Sequence, residues 1–329
     1  MISFILILLC SFFICIASIV LANKNHFGID SIKKDKPQKM HQKNTARIGG
    51  IGIFVAFLCS FFFHFETRYY LIIIGLGLVF LSGILEDLFD FIKPKVRLCI
   101  QALGITIMLF SGYNGLISDL SPIIILHLYP SILFSIFGIC GVCNALNIID
   151  GLNGLASGIA LLVLITISYI SMNPTQTLAL IAIASTLGFF ILNFPFGKIF
   201  LGDGGSYFLG ALIGLLLGNL SNNGISAWFG LSTMIYPVWE VIFSIIRRKI
   251  HNKPAMQPDS LHLHSLLYQL VKHNALTSLI ILFIYALYLF IILNLKNSAM
   301  AYIIASLFFI CFYTLIYFSL CFLISKSKK

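Results

Sequence analysis

PSILFSIFGICGVCNALNIIDGLNGLASGIALLVLITISYI, residues 130–170, decides the fold. Two apolar runs, near 130–148 and 154–171, are joined with no spare residues by Asn144, Asn147, Asp150, Gly151, Asn153 and Gly154. A helix that crosses a bilayer needs roughly 20 apolar residues. The runs are continuous rather than alternating, which selects helices over a membrane barrel. A costly polar patch wedged between two such runs marks a place where chemistry is kept at membrane depth.

The same pattern extends in both directions. Of 329 residues, 59% are hydrophobic and only 10% charged, with a mean hydropathy of +1.01. That excludes an ordinary soluble domain. Eleven spans are expected, near 1–21, 49–65, 69–86, 97–112, 130–148, 154–171, 177–193, 206–220, 229–246, 276–295 and 299–324. The expected fold is all-α: one polytopic membrane domain over 1–329, with polar loops near 23–48, 86–97, 144–153, 193–206 and 247–275. The first run lacks a basic leader segment and is long enough to span, so it reads as a membrane helix rather than a signal peptide.

Polar residues gather in five islands: Lys33–Gly50, Glu86–Arg97, Asn144–Asn153, Asn193–Ser206 and Arg247–His273. With eleven spans, nineteen Lys and Arg fall on the face that carries the islands; only Arg68 and Lys296 fall on the other. The positive-inside rule then places the islands and the C-terminus in the cytoplasm and the N-terminus outside. Topology and anionic lipid account for most of the +10 net charge, so it does not imply nucleic acid. Eight of the eleven acidic residues sit on that same basic face, which topology does not require. The eight cysteines lie within expected spans, and Cys140 and Cys143 read as small buried hydrophobes rather than a metal or redox pair. No Gly-rich nucleotide loop and no internal repeat stand out.

Each island offers recognisable chemistry. Glu86, Asp87 and Asp90 share one helix face if the third span continues, and such carboxylates need a cation or a basic partner. A solvated helix end with Lys93, Lys95 and Arg97 as counter-ions is the plainer alternative. Asn144, Asn147 and Asp150 recur at spacings of three, just before a helix start whose free N–H groups suit an anion. Polar contacts between helices are the alternative there. Asp203 lies among three glycines before another helix start, a design that suits a loop around a metal diphosphate, or, more plainly, a helix cap. Phe200 offers a ring face. His262 and His264, two apart, do not form a helical zinc pair, but with the Arg-rich stretch beside them they suit an anion. Together these features fit metal-assisted phosphoryl transfer. An anion transporter or flippase and a structural scaffold are the rival classes. Glu240 alone lies clearly within a span, which favours a supporting role over a transport pathway.

These islands, in this order, resemble the polyprenyl-phosphate N-acetylhexosamine-1-phosphate transferases, related to phospho-N-acetylmuramoyl-pentapeptide translocase. The resemblance runs from about Lys39 to Tyr268. HQKNTARIGG (41–50) looks like the family's first cytoplasmic segment, with His41 at a nucleotide-contacting position. GILEDLFD (83–90) is similar to DDxxD, with Asp87 and Asp90 matched and Glu86 replacing the first aspartate. NALNIIDGLNGL (144–155) is similar to NxxNxxDGxDGL; Asn147 and Asp150 match, and Asn153 replaces an aspartate. NFPFGKIFLGDGG (193–205) resembles the segment supplying the metal aspartate, here Asp203, with Asn193 and Phe200 on uridine-side positions. HLHS (262–265) resembles HxHH, with Ser265 replacing the last histidine. The pattern looks closer to the O-antigen or glycan-initiating branch.

The resemblance implies transfer of a sugar-1-phosphate from a UDP-N-acetylhexosamine to undecaprenyl phosphate, releasing UMP. It implies Mg²⁺, with Mn²⁺ as substitute, held by Asp203. It implies catalytic roles for Asp87, Asp90, Asp150, His262 and His264, and substrate contacts for His41, Glu86, Asn147, Asn153, Asn193 and Phe200. The expected setting is the bacterial inner membrane with the site on its cytoplasmic face, among membrane lipid and with a homodimer allowed.

Overall fold

The computed structural model describes residues 2–30, 44–89, 92–254 and 259–327. His41 and Asp90 lie outside them. The described chain is helical, with two short antiparallel strand pairs. Every expected apolar run falls on a helix. These are α1 (Ile2–Asn25), α2 (Gly50–His64), α3 (Tyr70–Phe89), α4 (Pro94–Leu109), α5 (Leu128–Ile149), α6 (Leu155–Ile170), α7 (Thr175–Asn193) and α8 (Gly202–Asn222). The chain continues through α9 (Ala227–Thr233), α10 (Ile235–Ile250), α11 (Leu263–Val271), α12 (Asn274–Leu293) and α13 (Ala299–Ser327).

Among the described residues seven helices are long and apolar enough to cross a membrane, or eight if the bent pair α9 and α10 counts as one span. α2 and α6 are apolar but have only 15 and 16 residues, about 24 Å at 1.5 Å per residue. The single span expected over 229–246 is two helices bent by 73°. Pro237, in the first turn of α10, has no N–H to offer the carbonyl of Thr233. The Tyr285 hydroxyl donates to that carbonyl instead.

α8 is the hub. It packs against α2, α3, α5, α6 and α9 and is buried almost throughout. Its approach to α2 and α3 depends on glycine. A Cβ on Gly83 of α3 would lie 2.4 Å from the backbone of Asp203, and one on Gly50 would lie 2.4 Å from the Gly205 nitrogen. Small residues at helix crossings let backbones touch in this way. The glycines after Asp203 thus serve packing, where the sequence suggested a phosphate loop. Cys143 is buried against the same helix, its thiol 3.4 Å from the Tyr207 carbonyl.

A short backbone weave closes the island end of the bundle. β1 (Ile29–Asp30) pairs with β2 (Thr45–Ala46), and Ala46 forms a parallel bridge to Ile199. Phe200 N–H donates to the Ala46 carbonyl at 2.8 Å, and Gly49 N–H to the Phe200 carbonyl at 2.9 Å. The weave ties the chain entering α2 to the chain entering α8, and Arg47 lies between its ends.

Candidate active site

A cleft of about 310 Å³ is lined by residues from all five polar islands. Arg47 comes from the first, Glu86 and Arg97 from the second, Asn147, Asp150 and Asn153 from the third, Asn193, Phe200 and Asp203 from the fourth, and His262, His264 and Ser265 from the fifth. Segments spread over more than 200 residues therefore build one site.

Asp203 sits at its centre, in the first turn of α8. One carboxylate oxygen accepts from Arg47 Nη2 at 3.0 Å and from Asn147 Nδ2 at 2.9 Å. The other accepts from Arg97 Nη1. Asn147 also reaches Ser206 Oγ at 3.1 Å. On the sequence alone Arg97 reads as a counter-ion at a helix end, with Lys93 and Lys95, and Arg47 is not singled out. Lys93 and Lys95 do remain exposed, whereas Arg97 turns inward to Asp203. The usable signal is position: Arg47 stands just before α2 and Arg97 in the first turn of α4, both at helix starts, where the dipole disfavours a cation.

Asp87 lies one layer deeper, its side chain wholly buried. Its oxygens accept the backbone N–H groups of Asp203 and Gly204, both at 3.0 Å, and Arg47 Nη2 at 2.8 Å. The start of α8 thus already holds an anion, supplied by the chain itself. Gly202, at φ +76°, permits this contact: a Cβ there would meet Arg47 O at 2.3 Å and Asp87 Oδ2 at 2.6 Å. Glu86 is half-buried beside the cleft and accepts the Ile92 N–H at 3.0 Å.

The third island divides. Three residues on a helix turn by 300°, so a spacing of three drifts by about 60° per step. Asn147 faces Asp203, while Asn144 faces α4 and donates to Gln101 at 3.1 Å. Asp150 caps α5 and lines the cleft. Burial pushes its carboxyl up to about 7, the Asp203 charge adds to the rise, and Arg47 opposes it. Asn193 and Asn153 are structural ties as well as lining. Asn193 accepts the Gly154 N–H at 2.6 Å and donates to the Ile199 carbonyl at 2.7 Å. Asn153 donates to the Pro195 carbonyl at 3.1 Å.

The fifth island is clamped from behind. Asp259 receives both Arg247 Nη2 contacts at 2.9 Å and Arg248 Nε at 2.8 Å. Burial would raise the Asp259 carboxyl, but the Arg248 and Leu261 hydrogen bonds and the two guanidinium charges hold it at about 2. These arginines anchor the histidine loop, where sequence alone suggested that they bind the anion. His262 and His264 stack with ring centroids 5.4 Å apart, both buried. Burial, then the neighbouring His262, push His264 down to about 4, with Glu240 opposing.

The sequence is similar to those of known proteins. The family model described as glycosyl transferase family 4 matches residues 69–220. The chain is 30% identical over 254 residues to a probable undecaprenyl-phosphate N-acetylglucosaminyl 1-phosphate transferase of Bacillus subtilis, covering 72% of this chain and 69% of that one. It is 32% identical over 252 residues to an undecaprenyl-phosphate alpha-N-acetylglucosaminyl 1-phosphate transferase of Haemophilus influenzae, covering 71% of each. A similar enzyme of Thermotoga maritima is 29% identical, covering 77% of each chain.

Proposed function

The chain belongs to glycosyl transferase family 4, and on that premise we propose that it moves an N-acetylhexosamine 1-phosphate from a UDP-sugar to undecaprenyl phosphate, releasing UMP. The product is the first lipid-linked intermediate of a cell-surface glycan. The observation that carries the reading is the convergence of five islands on Asp203 at one end of an apolar helix bundle. An enzyme that brings a charged sugar nucleotide to a lipid phosphate needs its polar site where polyprenyl phosphate meets water. The single basic face supports a cytoplasmic site in the inner membrane.

The residues divide the work by chemistry. Arg47 and Arg97 supply fixed positive charge for a diphosphate, and the planar guanidinium suits phosphate oxygens in pairs. Asn147 holds the Asp203 carboxylate in place from the side. Asp150, whose carboxyl burial pushes up to about 7, is suited to hold or pass a proton. Phe200 and Asn193 line the cleft, and the resemblance implies that both face the uridine. Among the described residues no three His, Cys, Asp or Glu side chains form a metal cage. One carboxylate plus substrate phosphates and water is nevertheless a donor set that Mg²⁺ accepts. Asp203 would hold it, after releasing a guanidinium to the phosphates. Such an ion supplies charge neutralisation on the phosphoryl oxygens.

The test is turnover by the purified protein with undecaprenyl phosphate and a panel of UDP-sugars, in the presence of Mg²⁺ or a chelator. Chelator-sensitive UMP release with one N-acetylhexosamine donor is the expected result. Protein that releases no UMP with any donor, yet moves an anion across proteoliposomes, overturns it in favour of the transporter class.

A further inference from the structure

Glu240 is a carboxylate outside the cleft that touches a residue lining it, and its other partners take no part in the centre around Asp203. It lies in α10 and is fully buried. An isolated carboxylate at that depth is costly, so its partners define its purpose. There are three. Tyr313 of α13 donates its hydroxyl to Oε2 at 2.8 Å. The Leu263 N–H at the start of α11 reaches the two oxygens at 3.3 and 3.4 Å. His262 Nδ1 lies 2.9 Å from Oε1.

The histidine is therefore held by one nitrogen only. Its Nε2 is buried, has no hydrogen-bond partner among the described residues and lies 3.8 Å from Asp259 Oδ1. Asp259 itself is committed to Arg247 and Arg248. His262 lines the cleft, and its ring stacks on His264, which lines it too. Ser244 Oγ, 3.3 Å from Nδ1, is the remaining polar neighbour. A buried imidazole with one nitrogen fixed by a carboxylate and the other left open is a device for presenting that second nitrogen in a set direction.

Resting on the transferase reading above, we propose that Glu240 is a positioning residue: it locks His262 through Nδ1 so that Nε2 presents a hydrogen bond to the diphosphate of the sugar nucleotide. With both nitrogens protonated, Nδ1–H goes to Glu240 and Nε2–H to an anionic oxygen. The Tyr313 hydroxyl and the Leu263 N–H keep the carboxylate itself from turning. No bond is made or broken in this step.

The experiment is a double-mutant cycle with Glu240→Gln and His262→Gln, followed by UMP release and by UDP binding to the purified protein across pH 5.5–8.5. Glu240→Gln keeps the shape but removes the charge. The expected results are UDP binding weakened about tenfold at neutral pH, the scale of one hydrogen bond to a charged group, and recovery as the pH is lowered. In the double variant the losses should not add, because both act through one nitrogen. Unchanged binding and pH profile in Glu240→Gln, or losses that add fully, overturn the proposal. If Glu240→Gln does not accumulate in membranes, Tyr313→Phe serves. It removes a competing donor, strengthens the hold on His262 and should move the profile to higher pH; an unmoved profile counts against the proposal. The two readouts separate the premises. Wild-type protein that binds UDP with this dependence but releases no UMP refutes the transferase reading alone, while normal turnover with an unaltered profile refutes the Glu240 role alone.

Discussion

Replacing Asp87 by Asn separates two roles that the DDxxD-like motif leaves open. The structure has this carboxylate accept two backbone N–H groups of α8 and the Arg47 guanidinium, all within 3.0 Å and away from solvent. Asparagine retains one acceptor oxygen and turns an NH₂ toward a donor. One charge-assisted hydrogen bond is lost, about 1.5–3 kcal/mol, and a buried ion pair loses its anion, about 3–5 kcal/mol. The two costs overlap, and Arg47 keeps Asp203, so a net destabilisation of about 3 kcal/mol is expected. The first turn of α8 carries Asp203, and a shift of about 1 Å there costs on the order of 10²-fold in rate. Asp87→Asn should therefore lower both the thermal midpoint of the purified protein and its UMP release. A variant that melts like the wild type but is inactive would refute the reasoning and assign Asp87 to direct contact with substrate.

The remaining predictions follow from the same geometry. Glu86→Gln should keep most of its activity, because the amide can still accept the Ile92 N–H; a loss as large as that of Asp87→Asn in the same assay would give Glu86 a larger role. Gly83→Ala drives a methyl to within 2.4 Å of the Asp203 backbone and should cost about 1–3 kcal/mol in a melting assay, with activity falling in step. His264 is held uncharged by burial to about pH 4, while in the unfolded chain it takes up a proton below about pH 6.5. Wild-type stability should thus decline as pH falls from about 6.5 towards 4, and His264→Gln should flatten that slope in melting curves.

The helices were legible because lipid forces every backbone polar group into internal hydrogen bonds, so a long apolar run has few alternatives. The bend at Met234 was not, because Pro237 in a first turn is equally compatible with a straight start. Asn147, Asp150, Asn153, Asn193, Asp203, His262 and His264 were legible as polar groups placed where lipid penalises them, Phe200 as a ring face among them, and all of them line the cleft. Arg47 and Arg97 were hidden by the basic bias that orients the whole chain: a cation that orients a helix and a cation that binds phosphate read alike until their partners are known. The partners of Asp87 and Glu240 were hidden for a different reason. Asp87 meets α8 across 116 residues and Glu240 meets His262 across 22, and no local spacing encodes either contact.

The central claim is that the sugar leaves the nucleotide together with its own phosphate. It is tested most directly with UDP-N-acetylglucosamine labelled at the β-phosphorus, incubated with purified protein, undecaprenyl phosphate and Mg²⁺, and then partitioned between water and organic solvent. Label is expected in the lipid fraction and unlabelled UMP in the aqueous one, with loss of both in Asp203→Asn. Label recovered in water as UDP beside a glycosylated lipid, or full transfer by Asp203→Asn, would contradict it.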